Sequence, residues 1–155
     1  MAFVRVLYVL GIAVLLVLLV ILGVEAFYPG PSYPDYPDWA GGPPFGTPEY
    51  EEWWQERQRE WDRVDEEYRQ ELSLYHRNVF LVVLPLGALV AVGGTFFRRR
   101  LSIFGAGLVL GGMGTMIYAI VPSELDSLLR FVGIAVALAV LVFVGFRVFN
   151  SRTQE

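Results

Sequence analysis

Four apolar runs dominate this chain, Val6 to Val24, Val79 to Phe97, Leu101 to Val121 and Phe131 to Phe146, and none of them contains a charge. A helix needs about 17 to 25 such residues to cross the bilayer core, where only helices and closed barrels satisfy every backbone polar group. Each run reaches that length alone or by extending into its flanks. The expected fold is therefore an all-α membrane protein with four transmembrane helices. The reading divides the chain into transmembrane helix 1 (1–28), a Pro/Tyr-rich segment (29–47), an amphipathic helix (48–77) and transmembrane helix 2 (78–97). An arginine link (98–100), helix 3 (101–121), a short loop (122–130), helix 4 (131–149) and a tail (150–155) follow.

Composition supports a membrane solvent, since 55% hydrophobic residues and 16 glycines in 155 leave little polar surface for a water-soluble domain. With no cysteine, disulfides, thiolate metal sites and cysteine nucleophiles are excluded, and one histidine cannot build a metal or haem site. No cofactor, metal or nucleic-acid partner is expected.

Arginine placement sets the expected orientation, because basic residues in short loops favour the cytoplasmic side. Arg98, Arg99 and Arg100 form the whole link between runs two and three, and Arg5 and Arg147 flank the outer runs. Both termini are then cytoplasmic in the plasma membrane, and residues 29–77 and 122–130 lie outside. The stretch from Tyr28 to Arg77 holds twelve carboxylates against five arginines, a net of −7. Arg5, the first apolar run and Val24-Glu25-Ala26 also have the order of a secretory signal. A run of nineteen residues exceeds a signal's core of about 7 to 15, so retention as an anchor is expected.

The outer segment changes character at Thr47. From Pro29 to Pro44 it carries six prolines, with Tyr33, Tyr36 and Trp39 spaced by three. Proline biases such a stretch toward polyproline II, which places those three rings on one face. Thr47 then reads as a helix N-cap, followed by Pro48 at the first position and Glu49, Glu51 and Glu52 in the first turn. No breaker follows until Pro85, so this helix is expected to be continuous with span two.

Along it, Trp54, Trp61, Tyr68 and Tyr75 recur every seven residues, flanked by Tyr50, Arg57, Val64 and Leu72. A stripe of this kind needs a covering surface. Three are open: the proline segment folded back antiparallel, an arrangement that resembles the pancreatic-polypeptide fold in architecture; the same helix of a second copy; or another subunit. Arg57 is placed for a cation–π contact with Trp54 or Trp61, or for snorkelling over them. His76 reads as an anchor at the membrane boundary.

Within the spans, small residues mark helix contacts, because helices in lipid associate by close backbone approach. Gly107 and Gly111 form a GxxxG step continued by Thr115, while Gly87 with Ala91 and Gly133 with Ala137 repeat the four-residue spacing. Spans two, three and four are expected to pack together, with span one peripheral in lipid. Proton relays, ion paths and substrate sites usually show ionisable residues inside spans, and these runs have none. The expected function is a non-catalytic structural or accessory subunit that assembles, as a homo-oligomer or within a larger membrane complex, through its outer helix. The alternative is a homo-oligomeric pore or transporter lined by span two or three, with Thr95, Thr115 and Tyr118 as polar candidates.

Overall fold

The computed structural model describes residues 2–35, 40–97 and 102–150. It is all-helical among these residues, with α1 at Ala2–Phe27, α2 at Pro48–Phe97, α3 at Ser102–Ile120 and α4 at Ser127–Asn150. All four are long and apolar enough to cross a membrane, which makes the chain a multi-pass membrane protein by length and composition. Two compact units result. One comprises Met1–Pro29 with His76–Glu155 and the other Gly30–Tyr75.

The first unit is a helix bundle organised by glycine. At Gly112 of α3 an added Cβ would lie 2.5 Å from the Ala91 nitrogen and 2.6 Å from the Gly87 carbonyl oxygen of α2. One turn along, a Cβ at Gly94 would meet the Gly105 oxygen at 2.8 Å. Backbone thus touches backbone along this seam, where Ala91 has no exposed surface. Such approach lets dispersion and weak C–H···O contacts act without a hydrophobic driving force.

The other side of α3 receives α1. The GxxxG step of Gly107 and Gly111 accepts Ile12, Ala13 and Leu16, and Gly114 accepts Val17. This corrects the expected grouping: span one is a docked member of the bundle, although much of its surface remains exposed, as suits a lipid-facing helix. The reason is that a groove needs a small residue on one side only. The branched side chains of α1 serve as knobs in holes that α3 supplies, so a leucine- and valine-rich helix can pack closely without glycines of its own.

On α4 a stripe of Gly133, Ala137, Val140 and Val144 turns inward, and Gly133 packs against Ile120 and Phe80. This helix begins at Ser127, four residues before the apolar run, because Asp126 caps it. The Asp126 carboxylate accepts from the Leu128 amide at 3.4 Å, and its carbonyl accepts from the Arg130 amide at 3.0 Å. Near its other end the Arg147 guanidinium lies 4.4 Å from the Phe96 ring centre of α2. Pro85 sits within α2, whose helical bonding continues beyond it. The arginine link 98–100 and the tail 151–155 lie outside the described residues.

Candidate functional site

The second unit holds the aromatic face of α2. Its start is fixed by Thr47, whose hydroxyl accepts from the Tyr50 amide at 3.3 Å and donates to the Pro44 carbonyl at 3.0 Å. Gly46 precedes it with φ +87°, a left-handed conformation that a side chain would strain. Along the helix an ion pair joins Asp65 to Arg69 at 2.8 Å, and Gln70 donates to Glu66 at 3.1 Å. Each such pair contributes only about 0.2 to 0.5 kcal/mol.

Residues 30–47 have neither helix nor strand among those described, and their contacts with α2 run in reverse order. Gly30 faces the Tyr75 ring, Tyr33 meets Tyr68 edge-on with centroids 5.6 Å apart, Gly42 faces Trp53, and Phe45 meets Tyr50 edge-on at 5.1 Å. The Trp53 indole leaves no room at Gly42, where a Cβ would lie 2.8 Å from the ring. Tyr36 and Trp39, the other two rings of the expected proline-segment face, lie outside the described residues.

The half-buried side of α2 in this unit runs through Tyr50, Trp53, Arg57, Trp61, Val64, Tyr68, Leu72 and Tyr75. Seven of these eight are stripe residues read from the sequence; Trp53 replaces Trp54, which is 42% exposed. Counting back by sevens from Trp61 reaches Trp54, yet at about 100° per residue both tryptophans flank the stripe's centre. The proline segment lies over the Trp53 side, and periodicity alone does not reveal which flank is covered. Arg57 follows the same choice: its guanidinium is 5.9 Å from the Trp53 ring centre and 3.0 Å from Glu60.

Beyond the covered face, Phe45, Tyr50, Glu51, Trp54 and Gln55 line an open apolar recess. Tyr50 and Trp54 stack with centroids 6.2 Å apart and planes 22° from parallel, and Phe45 is 89% exposed.

The bundle unit carries one polar cluster. His76 Nδ1 lies 3.4 Å from Glu124 Oε2, Ser123 donates to Glu124 Oε1 at 2.5 Å, and Arg130 Nη2 donates to the Pro122 carbonyl at 2.7 Å. Burial lowers the His76 pKa against the opposing pull of Glu124. The Ser123 hydrogen bond, then a backbone hydrogen bond and the nearby cations, hold the Glu124 carboxyl below its ordinary range. From the sequence alone His76 is expected only as an anchor at the membrane boundary, whereas the structure pairs it with Glu124. A signal was available, since the expected topology brings His76 and the 122–130 loop to the same boundary.

Two of the three polar span candidates, Thr95 and Thr115, are committed to backbone. Thr115 is buried and donates to the Gly111 carbonyl at 2.9 Å, and Thr95 donates to the Val92 carbonyl at 2.6 Å. Among the described residues no group of three or more metal-ligating side chains converges. No protein-family model matches the chain, and neither a curated protein nor a solved structure resembles it.

Proposed function

We propose that this protein is a non-catalytic structural or accessory subunit of a membrane assembly, with both termini cytoplasmic and residues 29–77 outside the membrane. The observation that carries the reading is the recess of Phe45, Tyr50 and Trp54 on a helix otherwise laced with charge. Exposed aromatic carbon within lipid is solvated, but outside it a cluster of rings with a polar rim is the composition of a protein contact site. The helix–dipole and capping features of Thr47 and Pro48 hold the recess in place, and the docked proline segment supplies its Phe45 wall. The bundle supports an anchoring role, because the threonine hydroxyls that could line a path in spans two and three bond their own helices.

Native mass spectrometry of the untagged protein, released in mild detergent from its own membranes, tests the reading. A defined oligomer or extra masses travelling with the chain, both lost on Trp54→Ala, are the expected result. A bare monomer under conditions that keep other membrane complexes whole would contradict it.

A further inference from the structure

A groove lies within the bundle unit, where α1 ends and α2 begins its uncharged stretch. It arises because α3 receives its two neighbours on different flanks: Gly107, Gly111 and Gly114 take α1, while Gly105 and Gly112 take α2. At about 100° per residue these two sets stand roughly 140° apart, so a gap is left between α1 and α2. Val24, Tyr28, Asn78, Val79, Val82 and Val83 line this groove of about 200 Å³. We infer that it holds one acyl chain of a glycerophospholipid, whose ester carbonyl accepts a hydrogen bond from Asn78.

The surrounding solvent selects the class of occupant. All six lining residues belong to, or directly follow, helices long and apolar enough to cross a membrane, so the molecules that meet the groove are lipids. Val83, 1% exposed, forms the floor, and Val82, 68% exposed, stands at the mouth. Four of the six are valines, whose β-branched side chains hold nearly one rotamer in a helix, so the groove keeps its shape before anything enters. A further helix, about 10 to 12 Å wide with its side chains, is too thick for it.

Polarity then fixes which end of the lipid lies where. Asn78 follows His76 and Arg77 and precedes the uncharged run from Val79, which sets it at the level of a lipid's ester groups. Tyrosine is enriched at the same level. The Asn78 amide donates to the Tyr28 hydroxyl at 2.9 Å, which uses one of its two N–H groups. The second is the donor for an ester carbonyl, while the chain below it runs along valine. An acyl chain gains no hydrophobic free energy by moving from the bilayer into the groove, so its retention rests on packing and on this hydrogen bond. The groove shares no residue with the aromatic recess, and it stands or falls separately from the assembly role.

The probe is a phosphatidylcholine with a diazirine in one acyl chain, titrated into the full protein in maltoside micelles, photolysed and mapped by peptide mass spectrometry. Adducts on Val24, Val79 and Val82 should saturate at low lipid mole fraction. Those on Leu128 and Phe131, 66% and 71% exposed at the start of α4, should rise in proportion to lipid. Val82→Trp, which adds bulk at an exposed position, should abolish the saturable fraction. Asn78→Leu should raise the half-saturation point about 2- to 12-fold, the range of one net hydrogen bond. Tyr28→Phe, which breaks the same bridge and keeps the amide, should raise it less. Groove labelling that rises in proportion, as on α4, would overturn the inference. An unmoved half-saturation point in Asn78→Leu, or equal weakening by Tyr28→Phe, would overturn the contact with the ester. Displacement of the probe by hexadecane as effectively as by unlabelled phosphatidylcholine would overturn the phospholipid assignment in favour of any apolar chain.

Discussion

Gly112→Ala is the sharpest test of how the bundle is held together. The added methyl would sit 2.5 Å from the Ala91 nitrogen, 2.6 Å from the Gly87 oxygen and 2.9 Å from the Ala91 Cα. All three are backbone atoms, so no side chain can rotate away. To reach ordinary contact near 3.4 Å, α2 and α3 must separate by roughly 1 Å along the seam. Overpacking of this kind costs about 1 to 3 kcal/mol, and the backbone location places it toward the upper end. Replacing glycine by alanine in a helix returns about 1 kcal/mol of propensity. The net loss is then about 1 to 2 kcal/mol, roughly 5- to 30-fold in the folded-to-unfolded ratio. Gly93→Ala is the matched control, since nothing lies within 4 Å of its Cβ position. Dodecyl sulfate titration in mixed micelles, read by pulse proteolysis, compares them. Gly112→Ala should unfold at lower dodecyl sulfate than wild type and Gly93→Ala at equal or higher. Equal midpoints for the two variants would refute backbone contact at this seam.

Three further outcomes are expected. Thr47→Ala removes the hydroxyl bonded to the Tyr50 amide and should raise hydrogen exchange in the first turn of α2, by about 1 kcal/mol of opening free energy. Gly107→Leu should undock α1 from α3, because a Cβ there already lies 2.7 Å from Ile12, and α1–α3 crosslinking yields should fall while α2–α3 yields persist. The third concerns pH. Because burial lowers the His76 pKa, the unfolded chain binds the proton first, so this group's stabilisation is full above about 6.5 and declines as pH falls from there toward its lowered folded value. Glu124, also lowered, loses its contribution below about 4.5 as pH falls through its own folded value. Both signs agree that acid loosens the cluster. Exchange at residues 122–126, corrected for intrinsic rates, should rise between pH 7 and 5.5 and lose that dependence in His76→Gln; slower exchange on acidification would show that attraction to Glu124 outweighs burial.

Much of the architecture was legible in the sequence because the bilayer constraint is severe. Uncharged runs of this length define four helices, and the Thr47-Pro48-Glu49 order marks the start of α2. The start of α4 was missed by four residues because the apolar run was counted and the Asp126 cap was not. Glycine spacing marked α3 as the packing hub without saying which neighbour each face meets. Gly107 and Gly111 serve α1, whereas Gly105 and Gly112 serve α2, a choice made by bundle geometry that no single helix encodes. The aromatic stripe was legible as a face, while its covered flank depended on where Gly42 allows the proline segment to approach Trp53. The His76 and Glu124 contact joins residues 48 positions apart and leaves no local pattern.

The proposed assembly role requires the aromatic helix to lie outside the membrane, and a chain without cysteine makes that directly measurable. Single cysteines at Gln58, on the exposed side of α2, and at Thr153, in the carboxyl-terminal tail, would be treated with an impermeant maleimide in intact cells. Gln58→Cys should be labelled in intact cells and Thr153→Cys only after permeabilisation. The reverse pattern would place the aromatic face in the cytoplasm and contradict the proposed role.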